Sequence, residues 1–258
     1  MADIEGALER TWAIYGPWPH LPPVDMGTCD LACVEDPLPG GILLAWFDRW
    51  VMELPDVPVP AKPTFVSFEN PKGGSRGWRE LSAWLPEGPA AVTYELGSDE
   101  TLAMSASASE AMVFHEPGEP TASGAALTFT TAALAKDAVL LGRAVLEFRA
   151  KLSAADANFY VEVIDVDAAN KETFVNDGYL KASHRASHEK PEPVPAGEMI
   201  DYRIVVRPQH HRFVAGHKLK LRLSAGSKDM LAPPPPVDVT IETGNSARLQ
   251  LPGFAAEL

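Results

Sequence analysis

A chain of 258 residues is long enough for one large domain, or a domain plus a fragment, with a sizeable buried core. Its formal net charge of −13 argues against nucleic-acid binding, because phosphate recognition needs clustered Lys and Arg. Hydrophobic content of 46% with 22% charged residues is that of an ordinary globular protein, and no apolar run approaches the roughly 20 residues of a membrane span.

The chain begins Met1-Ala2-Asp3-Ile4-Glu5, without the basic start of a signal peptide, so a cytoplasmic location is expected. Thr11–Tyr15 reads as a short buried strand that stops at the turn signal Gly16-Pro17. Cys29 and Cys33 make no disulfide framework, and a pair of reduced thiols is the simpler account of them. After Pro39-Gly40-Gly41, apolar residues at 42, 43, 46, 47, 50 and 51 predict an amphipathic helix over 42–52. Prolines then recur between Pro55 and Pro63, which marks a connector between two units.

Beyond the connector, alternating and β-branched runs dominate. The expected strands are 64–68, 91–96, 126–130, 139–150, 159–165, 173–179, 200–206, 218–224, 237–242 and 248–251. With 24 prolines and 19 glycines scattered between them, and almost no helical pattern, a β-sandwich or jelly roll is predicted.

Two segments carry a family resemblance: Asp177-Gly178-Tyr179-Leu180-Lys181-Ala182-Ser183-His184-Arg185 and Ala215-Gly216-His217-Lys218-Leu219-Lys220-Leu221. They are similar to Gly-x-Leu-Arg-Ala-Ser-His-Arg and Ala-Gly-His-Arg-Leu-Arg-Leu in the C-terminal domain of X-prolyl dipeptidyl-peptidases, cocaine esterase and α-amino acid ester hydrolases. Weaker likenesses follow in the family's order: Phe47-Asp48-Arg49-Trp50, Trp78-Arg79 with Trp84-Leu85-Pro86, Leu127 to Leu134, and Asp165-Val166-Asp167. The resemblance implies a jelly-roll sandwich of galactose-binding type over 55–258, preceded over 1–54 by the last strand, loop and helix of an α/β-hydrolase domain.

Gly16-Pro17-Trp18-Pro19-His20 is similar to the family's Gly-Pro-Trp-x-His, whose histidine is the general base of a Ser-His-Asp triad. His20 is therefore the candidate catalytic residue: such an imidazole takes the serine proton and returns it to the leaving group. The family order is Ser, Asp, His, so both partners belong well before residue 20, where nineteen residues contain no serine. The nucleophile and acid are expected to be absent, and the isolated chain inactive. Gly73-Gly74-Ser75-Arg76-Gly77 satisfies Gly-x-Ser-x-Gly, but it follows His20 and no strand-turn-helix pattern surrounds it, so a loop is expected.

Other residues read more plainly as structural. His184 and His188 stand four apart, but on a strand-to-loop transition that spacing is not expected to bring two imidazoles together. His184 and Arg185 are expected to bond backbone and carboxylates within the sandwich, and His217 to turn inward in the same way. His210-His211 reads as an exposed turn. Asp165 to Asn176 lacks the glycine and glutamate of a calcium loop and reads as a hairpin. The six tryptophans, at 12, 18, 46, 50, 78 and 84, are expected to pack at the seam between the N-terminal fragment and the sandwich. No cofactor or metal is expected. The partner is expected to be a second copy or a separate chain supplying Ser and Asp; the alternative is a non-catalytic carbohydrate- or peptide-binding module.

Overall fold

The computed structural model describes residues 11–15, 40–57, 65–68, 70–71, 78–81, 92–118, 126–225, 236–253 and 255–256. The chain divides into two compact units, Met1–Glu87 with His210–Arg212, and Gly88–Gln209 with Phe213–Leu258.

The smaller unit holds β1 (Ala13–Tyr15), α1 (Gly40–Trp50), β2 (Phe65–Phe68), β3 (Asn70–Pro71) and β4 (Trp78–Leu81). β1 runs parallel to β2, with Ile14 opposite Val66, and β2 is antiparallel to β4. The helix forms two residues earlier than its apolar spacing suggests and ends at Trp50, where the chain turns. Val51 and Met52 both donate backbone N–H to the Phe47 carbonyl. Arg49 Nη1 reaches forward to the carbonyls of Leu54 at 3.4 Å and Pro55 at 2.7 Å, fixing the exit from the helix. Trp12, beside β1, meets Trp46 edge-on at 4.8 Å and Trp50 at 6.3 Å, so three of the six tryptophans pack together.

The remaining strands are β5 (Val92–Leu96), β6 (Leu102–Ala103), β7 (Met112–Glu116), β8 (Leu127–Thr130), β9 (Ala138–Gly142), β10 (Val145–Leu152), β11 (Asn158–Val166), β12 (Glu172–Lys181), β13 (Met199–Val205), β14 (Gln209–Phe213), β15 (Lys218–Ser224), β16 (Val237–Leu251) and β17 (Ala255–Ala256), all in the larger unit except that His210–Arg212 of β14 count with the smaller one. One sheet runs β13-β10-β16-β5-β6, with β7 also on β16, and a second runs β12-β11-β15-β8. Their pairings are antiparallel.

Sequence alternation sets the two layers. Leu146, Phe148, Ala150 and Leu152 of β10 are buried, as are Leu219, Leu221 and Leu223 of β15, while the residues between them face outward. Phe148 of β10 and Tyr202 of β13 both meet Phe159 of β11, at 5.1 and 4.8 Å between centroids, so an aromatic contact joins one sheet to the other. That contact lies inside a continuous buried core, which defines an antiparallel β-sandwich.

Several strand boundaries differ from expectation for local reasons. The run 139–150 is two strands, because Gly142 at φ +127° breaks it before Val145. Conversely, 237–242 and 248–251 are one strand, β16, irregular around Gly244 at φ +73°. A side chain at Gly244 would meet Ser109 Cβ at 2.7 Å, so glycine is required there for space as well as conformation. The described helix is too short to cross a membrane.

Candidate functional site

The segment Asp177–Arg185 runs along β12 into a 3-10 turn at Ala182–His184. Asp177 is 5% exposed, so its carboxylate must be paired. Tyr160 Oη donates to Asp177 Oδ2 at 2.9 Å, and Arg207 donates to Oδ1 from Nε at 2.8 Å and also from Nη2. The Tyr160 and Tyr179 rings stack at 5.6 Å, and the Arg207 guanidinium lies 6.0 Å from the Tyr179 centroid. Burial, then the Asp177 charge, pushes ionisation of Tyr160 far above the ordinary range. Between Asp177 and Tyr179, Gly178 lets the backbone approach: a Cβ there would lie 2.8 Å from the Val205 carbonyl oxygen.

Asp156 organises the turn that follows. Its Oδ1 accepts the N–H groups of Ala157 and Ser183 at 3.0 and 2.9 Å, and its Oδ2 accepts Ser183 Oγ at 2.9 Å. Arg185 Nη1 donates to the carbonyls of Ala182 and Glu192. The Ser183 hydroxyl thus donates to a carboxylate already occupied by backbone groups, which does not activate it as a nucleophile. His184 Nδ1 bonds the His188 carbonyl at 3.1 Å, and the two imidazole rings stack at 6.3 Å. Their spacing therefore does bring the rings together, because the chain curls back after the 3-10 turn. Among the described residues, no group of three or more His, Cys, Asp or Glu could hold a metal ion.

In the second segment, Gly216 at φ +85° turns the chain into β15 and sends His217 inward. Its Nδ1 lies 2.8 Å from Asp165 Oδ1, with side-chain exposures of 14% and 1%. This has the orientation of a base held by an acid, and backbone bonds lock it into the hairpin. His217 donates its N–H to the Val214 carbonyl, and its own carbonyl accepts Leu134 N–H. The expectation that His217 turns inward holds. His184 and Arg185 bond backbone carbonyls. His210-His211 is not an exposed turn: both are buried in β14 with Arg212, and His211 and Arg212 align with Asn70 and Pro71 of β3. The β11–β12 hairpin is closed by Asp167 Oδ1, which accepts N–H from Ala169 and Lys171, as the hairpin reading of that segment requires.

His20, Ser75, Cys29, Cys33, Trp18 and Trp84 lie outside the described residues. Asp156 and Arg207 carry much of the geometry and were not legible in the sequence. Asp156 stands 27 residues before its partner Ser183, and Arg207 stands 30 after Asp177.

Fold and site together define an antiparallel β-sandwich whose motif residues serve as structural ties. The sequence profile of the X-Pro dipeptidyl-peptidase C-terminal non-catalytic domain matches residues 49–252, and the chain belongs to that family. Among solved structures it is similar to an α-amino acid ester hydrolase (16% identity, TM-score 0.70, covering 94% of this chain and 50% of that one). It is also similar to a CocE/NonD family hydrolase from Staphylococcus aureus (17%, TM-score 0.65, 81% and 45%). A third is an aminopeptidase from the marine sediment archaeon Thaumarchaeota archaeon (15%, TM-score 0.64, 81% and 43%). The chain spans half or less of the length of each. Among curated proteins no significant sequence match is found.

Proposed function

We propose that this chain serves as the C-terminal part of a dipeptidyl-peptidase- or ester-hydrolase-type serine hydrolase, cytoplasmic, with His20 as the triad base. The reading rests on the profile match over residues 49–252, to a family whose domain is itself non-catalytic. The sandwich is wound as a jelly roll of galactose-binding type, and the elements of 1–54 belong to the end of an α/β-hydrolase domain. Serine and aspartate come from polypeptide outside these 258 residues.

In that assembly His20 abstracts the serine proton and delivers it to the departing amine or alcohol. Without the serine, what remains of catalysis is binding and any oxyanion donors, a loss of about a millionfold in the well-studied case. The test is turnover of p-nitrophenyl esters and Xaa-Pro-p-nitroanilides by the purified chain and by His20→Ala. The two should be equally inactive; turnover abolished by the substitution would make the chain a self-sufficient enzyme.

A second reading is a non-catalytic carbohydrate- or peptide-binding module. It draws on the half-exposed Tyr179 ring beside the Arg207 guanidinium, an aromatic and a cation together at a surface. Saturable binding to an oligosaccharide or peptide array, lost in Tyr179→Ala, would favour it.

A further inference from the structure

Asp177 gathers side chains from three segments onto one carboxylate. Tyr160 of β11 and Tyr179 of β12 stand directly opposite in the strand pairing, and their rings stack with an interplanar angle of 18°. Tyr160 Oη donates to Asp177 Oδ2, and Tyr179 Oη reaches the same oxygen at 3.5 Å. Arg207 holds Oδ1, and its segment is fixed in turn by Asn176, whose Nδ2 donates to the Pro208 carbonyl and lies 3.4 Å from Gln209 Oε1. Two of these groups nevertheless face water: Tyr179 and the Arg207 side chain are each 50% exposed. A ring and a guanidinium immobilised on a buried acid lose little freedom when a ligand arrives.

Their chemistry narrows the ligand. Arg207 binds Asp177 through Nε and Nη2, so the planar fork keeps Nη1 and one N–H of Nη2 for another acceptor. Asp177 cancels the guanidinium charge, and a net charge of −13 over the chain repels acidic ligands, so a neutral acceptor such as a hydroxyl is favoured. The face of a phenol ring carries negative potential and attracts polarised C–H groups, which line the flat faces of a sugar ring. Neighbouring side chains are ion-paired, Lys181 with Asp156 and Glu162 with Arg222. One ring in that polar surround offers far less than the roughly 800 Å² per partner of a standard protein interface, and it suits one sugar ring.

We propose that Tyr179 and Arg207 form a shallow site for one ring of a neutral saccharide, which lies on the phenol while one of its hydroxyls accepts from Arg207. The site sharpens the binding-module reading above and rests on it; it needs no hydrolase activity. A single platform of this size implies a Kd of about 0.1–1 mM.

The test is isothermal titration calorimetry of the full chain with cellohexaose, laminarihexaose and mannohexaose, with hexagalacturonate and a proline-containing hexapeptide as separate arms. Saturable binding of at least one neutral hexasaccharide is expected, and none of hexagalacturonate. Tyr179→Ala should weaken that binding at least about 10-fold with far-UV circular dichroism unchanged, and Tyr179→Phe, which keeps the ring, less than about 3-fold. Phe174→Ala, at the other exposed aromatic of β12, should leave it unchanged. Saccharide binding that persists in Tyr179→Ala overturns the proposal, and so does binding of hexagalacturonate or the peptide alone. Peptide binding lost in Tyr179→Ala would leave the module reading standing without the saccharide, whereas no binding in any arm overturns both.

Discussion

Arg207 is bound to Asp177 twice over: its backbone N–H donates to the Asp177 carbonyl at 2.9 Å, and its guanidinium donates to the same residue's carboxylate. The two bonds together fasten β12 to the segment that follows β13. Asn176 strengthens the join, donating from Nδ2 to the Pro208 carbonyl at 3.0 Å. The first of the two family motifs thus begins with a strand-edge clasp, and its chemistry is that of a structural tie.

Removing one partner of that clasp should cost more than removing both. Asp177 has a side chain 7% exposed and Arg207 one 50% exposed, so Arg207→Ala strands a buried carboxylate while water still reaches the vacated side. About 2 kcal/mol of destabilisation is expected, below the range for a fully buried pair because of that exposure. Urea unfolding of Arg207→Ala, Asp177→Asn and the double variant should give a coupling energy above 1 kcal/mol. Additive effects would show that the clasp is incidental.

Gly178→Ala tests the close approach beside the clasp. Its new methyl would sit 2.8 Å from the Val205 oxygen and 3.0 Å from Val206 Cα, both backbone atoms that cannot swing away. A loss of about 1–3 kcal/mol is expected by the usual cost of overpacking. Gly197→Ala is the counterpart in open space: nothing lies within 4 Å, and its cost comes from its positive φ of 84°.

The alkaline limb of stability should be set by buried tyrosines. Burial pushes Tyr202 up to about 12, and Tyr160 higher still, while the unfolded chain ionises near the ordinary value of 10. A folded value above the unfolded one means that these phenols contribute stability below pH 10, and that the contribution is lost as pH rises past it. Absorbance titration at 295 nm should show Tyr160 and Tyr202, of five tyrosines, ionising together with the loss of near-UV circular dichroism. Ionisation of all five while the fold persists would contradict the burial argument.

At the acid end the sign reverses. A hydrogen bond from Lys220, and then one from Arg222, holds Glu172 below the ordinary 4.5. Its contribution is present above that pH and lost as pH falls through the lowered value. Because the side chain is 37% exposed, solvent screening keeps the effect small. Glu172→Gln should therefore flatten the acid limb slightly between about pH 5 and 3 and leave the alkaline limb untouched, as read by urea midpoints.

Much of the sandwich was readable because a half-buried strand writes its alternation into the sequence. Leu219, Leu221 and Leu223 announce β15 in this way, and the helix at Gly40–Trp50 follows from apolar spacing. Long-range burial is less legible. His210 and His211 look like a polar turn, yet they sit in a buried strand whose neighbour is Asn70, some 140 residues earlier. The same holds for Asp156 and Ser183: each is an ordinary surface residue by type, and only the fold places a carboxylate where three donors converge. His217 turns inward as expected, from the turn at Gly216. Its acid, Asp165, was assigned to a hairpin, and pairing across β11 and β15 joins the two.

On the proposed function, hydrolysis needs a nucleophile from outside this chain. The most direct measurement is labelling of the purified, folded chain with a fluorophosphonate probe, followed by mass-spectrometric mapping of the modified residue. The account predicts no stoichiometric labelling at any serine, with a related full-length hydrolase labelled under the same conditions. Stoichiometric labelling of one serine, Ser75 above all, would contradict it.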